Sequence, residues 1–255
     1  MSGSKDREQR REGRLREEES AAADERRQRA VKLASAAAFL AIAVVAVLIV
    51  VSQSGDGGDA EDIGGAAEVR RELAGIPQSG MVLGEPSAPV TLIEFGDLQC
   101  PVCKGYAEEV IPQVIENRVR RGEAKLDFRN FTIIGPESIT AGIAAVAAGQ
   151  QGRGWNFVEL FYRNQGLEAS GYVTDEFLTA IARDAGVPDL ARWNKDRRDR
   201  ASRDQVARTT REAERLGLGG TPSFAVVGPG SDGFQVIGTP GSANDLIAAI
   251  DAASE

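Results

Sequence analysis

The chain has 255 residues, 42% hydrophobic and 27% charged, ordinary values for a folded protein, and its formal net charge of -8 excludes nucleic acid as the main partner. It contains no histidine, which excludes Ser-His-Asp and Cys-His catalysis and every histidine-ligated metal site. Its two cysteines lie three positions apart, too few for a framework of structural disulfides or for a structural zinc site of about four ligands.

Residues 1–32 carry ten Lys/Arg and eight Asp/Glu with almost no large apolar side chain, so they read as a charged tail that cannot bury a core. Residues 33–51, LASAAAFLAIAVVAVLIVV, are nineteen positions without a charge. At about 1.5 Å per residue that length nearly matches a hydrocarbon core of about 30 Å, and one transmembrane helix is expected. A cleaved signal peptide fits less well, because its apolar stretch is usually about 7–15 residues and sits nearer the N-terminus. Arg26, Arg27, Arg29 and Lys32 precede the span, whereas residues 52–69 hold five acids and no Lys or Arg. The positive-inside bias then places the tail in the cytoplasm and the long C-terminal part outside, in a single-pass topology that touches the lipid bilayer through residues 33–51. Residues 52–75, rich in Gly and Asp at their start, are expected to be a flexible extracytoplasmic stalk, with a folded domain over residues 76–255.

Within that domain Pro89–Phe95 (PVTLIEF) has the β-branched, apolar character of a buried strand. Cys100-Pro101-Val102-Cys103 follows and opens a helix expected to reach about Arg121, with Val110, Val114 and Ile115 on one face. Lys125–Ile133 reads as a second strand. Helical periodicity then covers a stretch at about 136–216, through Ile139–Ala148, Trp155–Phe161 and Phe177–Ala185 and a charged run over Asp189–Arg215. That run holds nine Lys or Arg among acids and is the pattern of a solvated helix rather than of a docking surface. Strands Ser223–Val227 and Phe234–Ile237 and a helix Ser242–Ala253 close the chain. The order describes an α/β fold, a mixed central sheet flanked by helices, with a helical insertion.

A CxxC pair at a strand-to-helix junction has chemistry built into its position. The first cysteine lies near the helix N-cap, where unpaired N–H groups and the positive end of the helix dipole favour an anion. Its pKa falls, and the thiolate is the species that attacks a disulfide. Pro101 suits the first helical position, where its missing N–H has no partner to lose. Cys103, within the first turn, can close a disulfide or resolve a mixed one, so Cys100 is expected to be the exposed nucleophile and Cys103 the more buried partner. Glu94 stands six residues earlier on the buried strand. Its carboxyl either has a raised pKa and relays protons to and from the thiols, or is a strand-end carboxylate that reaches solvent. Asp97 is the weaker competitor, expected in the turn.

The run Val90–Val110, VTLIEFGDLQCPVCKGYAEEV, together with Gly219-Gly-Thr-Pro-Ser-Phe224 across a helical stretch of this size, is similar to the DsbA-like thioredoxin-fold oxidoreductases, particularly their membrane-anchored bacterial group. The resemblance covers about Ile76 to the C-terminus. It implies a thioredoxin-like fold, a cis-proline at Pro222 beside the cysteine pair, and contact between Thr221 and the active sulfur. It also supports a buried proton-relay acid at Glu94. The cofactor it implies is the redox-active Cys100–Cys103 disulfide and no other, with no metal. The partners implied are exported proteins bearing thiols or disulfides and a membrane redox partner that reoxidises or reduces the pair. The chain departs from the best-known strong oxidants of the family at Val102, where a histidine would stabilise the thiolate, so a milder oxidant, or an enzyme whose direction is set by its partner, is expected. Lys104 adds at most a little positive charge nearby. Disulfide formation in exported proteins is thus the leading function, with a partner-driven reductase or isomerase as its alternative. A two-thiolate metal-binding module is the rival from another class.

Overall fold

The structure is a computed structural model, and it describes residues 63–255. The charged tail and the apolar span 33–51 lie outside the described residues, as does the first part of the stalk; among the described residues no helix is long and apolar enough to cross a membrane. The folded part starts earlier than residue 76. Residues 66–75, read from sequence as stalk, instead contain a helix, α1 (Ala66–Glu72), and Ile63, Val69 and Leu73 join the main core. Arg120 fastens the end of α1 by donating to the carbonyls of Glu72 and Ala74 at 2.6 and 3.0 Å. The reason for packing is local: Val69 and Leu73 are one turn apart and point the same way.

Six strands form one mixed sheet in the order β1-β2-β4-β3-β5-β6. Strands β1 (Gln78–Ser79) and β2 (Val82–Leu83) form a short hairpin that edges β4 (Ala124–Asn130). β3 (Val90–Gly96) runs parallel to β4 and antiparallel to β5 (Ser223–Val227), which pairs with β6 (Gln235–Gly238). A central strand flanked on both sides and covered on both faces must be apolar throughout, and β3 is buried at every position except Thr91. β4 ends at Asn130 rather than Ile133. The N–H of Phe131 still bonds Gly96 O at the end of β3, but those of Ile133 and Ile134 leave the ladder and turn to the Asp97 carboxylate.

Side chains alternate across a strand. Val90 and Leu92 of β3 face the larger core, which holds Cys103, Ala107, Ile111 and Val114 of the helix after the CxxC and Leu246 and Ile250 of the last helix. Ile93 and Phe95 face a smaller cluster with Phe131, Ala213 and Ala225. Glu94 shares the parity of Val90 and Leu92, so it points to the CxxC side. The CxxC helix begins as α2 (Pro101–Gly105) and continues through a π turn (Tyr106–Val110), α3 (Ile111–Val114) and a second π turn (Ile115–Val119). Pro112 supplies no N–H for a bond back to residue 108, and the helix widens around it.

The insertion consists of α4 (Pro136–Gly149), α5 (Gly154–Arg163), α6 (Asp175–Asp184), α7 (Leu190–Asp196) and α8 (Arg200–Arg215). Its bounds agree with the helical stretch read from sequence. The charged run is two helices laced by i,i+4 ion pairs such as Arg192–Asp196 and Arg200–Asp204, each at 3.3 Å, which bears out the solvated reading. α9 (Ala243–Ser254) closes the fold.

Candidate active site

Cys100 occupies the N-cap of α2 in an extended conformation, and its sulfur accepts the Cys103 N–H at 3.4 Å. The same sulfur lies 3.3 Å from the carbonyl oxygen of Thr221. The Thr221–Pro222 peptide bond is cis, as the resemblance implied, and brings the loop before β5 against the cysteine pair. Both thiols are free, so the pair is described in its reduced form. Cys103 has no exposed surface and Cys100 retains 6%. The order of burial matches expectation, but Cys100 is not openly exposed. The Thr221 loop lies directly against it, its carbonyl 3.3 Å from the sulfur.

The two sulfurs are electrostatically unlike. Cys100 is lowered from 9.0 to about 6, chiefly because the Cys103 thiol donates to it, with the Thr221 side chain and the backbone N–H groups of Cys103 and Val102 adding to the effect against burial. Burial, then the hydrogen bond to Cys100 and the charges of Cys100 and Glu94, raise Cys103 well above 9.0. Val102 is half exposed, with a side chain that donates nothing to the sulfur, and Lys104 shares its charge with Glu108 at 3.9 Å.

Glu94 is 4% exposed and does not reach solvent, so it is not a strand-end carboxylate in water. Burial first and the Cys100 charge second push its carboxyl up to about 8, and its Oε1 has no hydrogen-bond partner among the described residues. Asp97 does not compete for this role. Its buried carboxylate is spent on three backbone N–H groups, those of Gln99, Ile133 and Ile134, at 2.9 to 3.1 Å, and so fixes the turn that carries Cys100. Gly96 is required just before it, since a Cβ there would meet the Phe128 ring at 2.6 Å and the Tyr162 hydroxyl at 3.0 Å. That hydroxyl donates to Asp97 O at 3.2 Å.

The structure therefore brings together Cys100, Cys103, Glu94, Thr221 and Pro222. Sequence reasoning missed a second buried acid. Glu159 of α5 is 1% exposed, lies on the helical stripe of Trp155 and Tyr162, and has an unpartnered Oε2 among the described residues. Burial, followed by the charges of Glu72 and Glu94, raises its carboxyl well above 4.5. Its only sequence signal was an acid inside an aromatic, otherwise apolar turn. No group of three or more His, Cys, Asp or Glu side chains is placed to hold a metal ion among the described residues. The arrangement can do dithiol–disulfide chemistry: an ionisable sulfur at a helix terminus, a buried thiol one turn in, and an acid able to hold a proton near neutral pH.

A family model described as thioredoxin matches residues 77–251. The probable disulfide bond formation protein D of Bacillus cereus is 31% identical over 150 residues, 57% of this chain and 69% of that protein. A crystal structure of a thioredoxin-like oxidoreductase from Silicibacter pomeroyi DSS-3 has 31% identity and a TM-score of 0.54, covering 71% of this chain and 95% of the other. The oxidised BdbD of Bacillus subtilis superposes with a TM-score of 0.59 at 23% identity over 69% of this chain and 96% of the other, a likeness of fold.

Proposed function

The chain belongs to the thioredoxin family and is a DsbA-like thiol–disulfide oxidoreductase, and from that premise we propose that it forms disulfides in exported proteins from an anchored, extracytoplasmic position. The observation that carries the reading is the contrast between the two sulfurs: Cys100 ionises at about 6 while Cys103 stays protonated beside a buried Glu94.

In the oxidised enzyme a substrate thiolate attacks Cys100 Sγ. The Cys100–Cys103 bond breaks and Cys103 leaves with the electron pair. Its high proton affinity requires a proton at once, and Glu94 supplies it. The substrate's second thiolate then attacks the substrate sulfur of the mixed disulfide, and Cys100 departs as a stabilised thiolate. The substrate has lost two electrons and the pair has gained them. Thr221 and Pro222 flank the sulfur where the substrate must pass. A membrane redox partner takes the electrons on and restores the disulfide. The anchor is residues 33–51, with residues 1–32 in the cytoplasm, so that the site works where exported chains emerge.

A partner-driven reductase or isomerase is the second reading, favoured by Val102, which leaves the thiolate without a side-chain donor at that position. Two measurements decide. Cys103→Ser in the full chain should accumulate covalent complexes with exported proteins, and Cys100→Ser almost none; equal trapping by both overturns the division of labour. The redox state of the pair in native membranes fixes direction, since mostly disulfide means oxidant and mostly dithiol means the second reading. Recovery of a mature protein lacking residues 1–51 would replace the anchor with a signal peptide.

A further inference from the structure

The helical insertion reaches back to the active-site turn through two glutamines. Gln165 begins the loop between α5 and α6, and its Nε2 donates to the carbonyls of both Leu98 and Cys100, at 2.7 and 3.1 Å. One side-chain amide therefore bridges the Leu98–Gln99 and Cys100–Pro101 peptide units. Gln99, 1% exposed, answers in the opposite direction: its Oε1 accepts the N–H of Ala169 at 2.7 Å and its Nε2 faces Ser138 Oγ of α4 at 3.4 Å. Ala169 is held at a φ of 54°, the one positive φ outside glycine among the described residues. A non-glycine residue adopts that conformation only where its surroundings impose it. The loop is thus tied at both of its near ends to the three residues that deliver Cys100.

These bonds bear on the chemistry because of how the Cys100 sulfur is stabilised. The Val102 side chain offers it no donor, so its partners are the Cys103 thiol, the Thr221 loop and the N–H groups of Val102 and Cys103. The N–H bonds are directional, and they reach the sulfur only while Cys100 keeps its capping conformation, φ -75° and ψ 118°. The Cys100 carbonyl already accepts the helical N–H of Lys104 at 3.1 Å, and Gln165 fills its second lone pair. Together the two donors leave this peptide plane no freedom to rotate.

We propose that Gln165 is a positioning residue of the exchange reaction: by bridging the Leu98 and Cys100 carbonyls it holds Cys100 in the conformation in which its sulfur meets the helix N–H groups. The insertion then sets the reactivity of the attacking sulfur as well as covering the sheet. The inference rests on Cys100 being that sulfur.

The test uses the full-length reduced protein in detergent micelles and follows alkylation of Cys100 by iodoacetamide from pH 4.5 to 9. Gln165→Leu keeps the approximate volume and removes both donors; Gln165→Asn keeps an amide too short to reach both carbonyls and serves if the leucine variant does not fold. In either variant the midpoint should rise, slowing alkylation at pH 6 by about two- to fivefold while leaving the plateau above pH 9 unchanged. A role in stability alone would lower the melting temperature and leave the midpoint where it is. Coincident midpoints in wild type and variants overturn the proposal. A wild-type midpoint near that of a free thiol, or no covalent trapping by Cys103→Ser, overturns instead the assignment of Cys100 on which it rests.

Discussion

Replacing Glu94 by glutamine should make the protein more stable at neutral pH and slower as a catalyst. The carboxyl has a value of 4.5 in an unfolded chain and about 8 in the fold, where burial is the main cause. Between those values the unfolded state has lost a proton that the folded state keeps, so stability falls as pH rises, at about 1.4 kcal/mol per unit. From 4.5 to 7 that is a loss of about 3 kcal/mol in wild type that an uncharged amide avoids. The buried amide must leave a donor without a strong partner, which returns about 1 kcal/mol or more, so a gain of about 2 kcal/mol is expected at pH 7. Cys100 acts with the opposite sign. Its depressed value, about 6 against 9.0, adds stability as pH rises through that window. Cys100 and the raised Glu159 carboxyl contribute to both proteins alike, so the stability of Glu94→Gln relative to wild type should grow steadily from about pH 4.5 to 8. Urea denaturation of both proteins under reductant, at half-unit intervals from pH 4.5 to 8, measures the difference. A Glu94→Gln protein that is less stable at every pH, or a gap that does not widen with pH, would refute a buried, protonated Glu94. Stopped-flow exchange on the same samples should show the variant slower at the step that returns a proton to Cys103. An unchanged rate makes Glu94 structural only.

Three further outcomes follow from the same geometry. Alkylation of Cys100 in the reduced protein should reach half its plateau at about pH 6; a midpoint between 8 and 9 would remove the helix terminus and the Cys103 thiol as stabilisers of its anion. Glu159→Gln should be as stable as wild type near pH 4.5 and more stable at pH 7 to 8, because burial raises this carboxyl in the fold and its ionisation then opposes folding as pH rises; a uniform loss of stability in denaturation curves would mean that its carboxyl has an essential partner. Asp97→Ala leaves three backbone N–H groups, that of Gln99 buried and those of Ile133 and Ile134 part-buried, without their acceptor and should destabilise the protein by about 2 kcal/mol or more; a loss below about 1 kcal/mol in urea titrations would mean that the turn before Cys100 does not depend on it.

What the sequence disclosed and what it hid divide along physical lines. The strand before the CxxC and the pair itself were legible because apolar runs and cysteine spacing carry local signals, whereas the cis bond at Thr221–Pro222 was expected only from the family resemblance. The limits of the insertion were legible because long amphipathic stretches repeat the same period. α1 was not, because one turn of packing through Val69 and Leu73 is too short to rise above a Gly- and Ala-rich background. The two-residue strands β1 and β2 pair with each other and reach the sheet only through β2 on β4, a contact between distant residues. β4 was read too long because Phe131 to Ile133 has strand-like composition, while the fate of its N–H groups was decided by Asp97, more than thirty positions away. Gln99 and Gln165 were invisible for the same reason: a glutamine carries no periodic signal, and its partners are set by the fold. The burial of Cys100 was missed because local position predicts an accessible helix end and says nothing of a loop that returns from residue 221.

The ionisations of Glu94 and Cys100 are coupled, and the coupling connects proton movement to the redox state of the pair. Each negative charge raises the cost of the other: the Cys100 thiolate is the second cause of the raised Glu94 carboxyl. In the disulfide that thiolate is gone. Glu94 then loses one of the two terms that hold its proton, and its carboxyl value must fall from about 8 toward the level set by burial alone. Reduction of the disulfide by a substrate therefore raises the proton affinity of Glu94 as the Cys100 thiolate appears, while Cys103, buried and held above 9.0, must be protonated outright. The acid is most ready to release a proton before the bond breaks, when the departing Cys103 needs one, and most ready to take it back afterwards. With valine at 102, the proposed exchange pairs a buried acid with a sulfur stabilised first by the Cys103 thiol and then by the Thr221 loop and backbone N–H groups, with no histidine involved. Potentiometric titrations of the pair at several pH values give the direct check. A pH slope that breaks near 6 and again at the Glu94 value supports the coupling, and a single uninterrupted slope from pH 5 to 9 contradicts it.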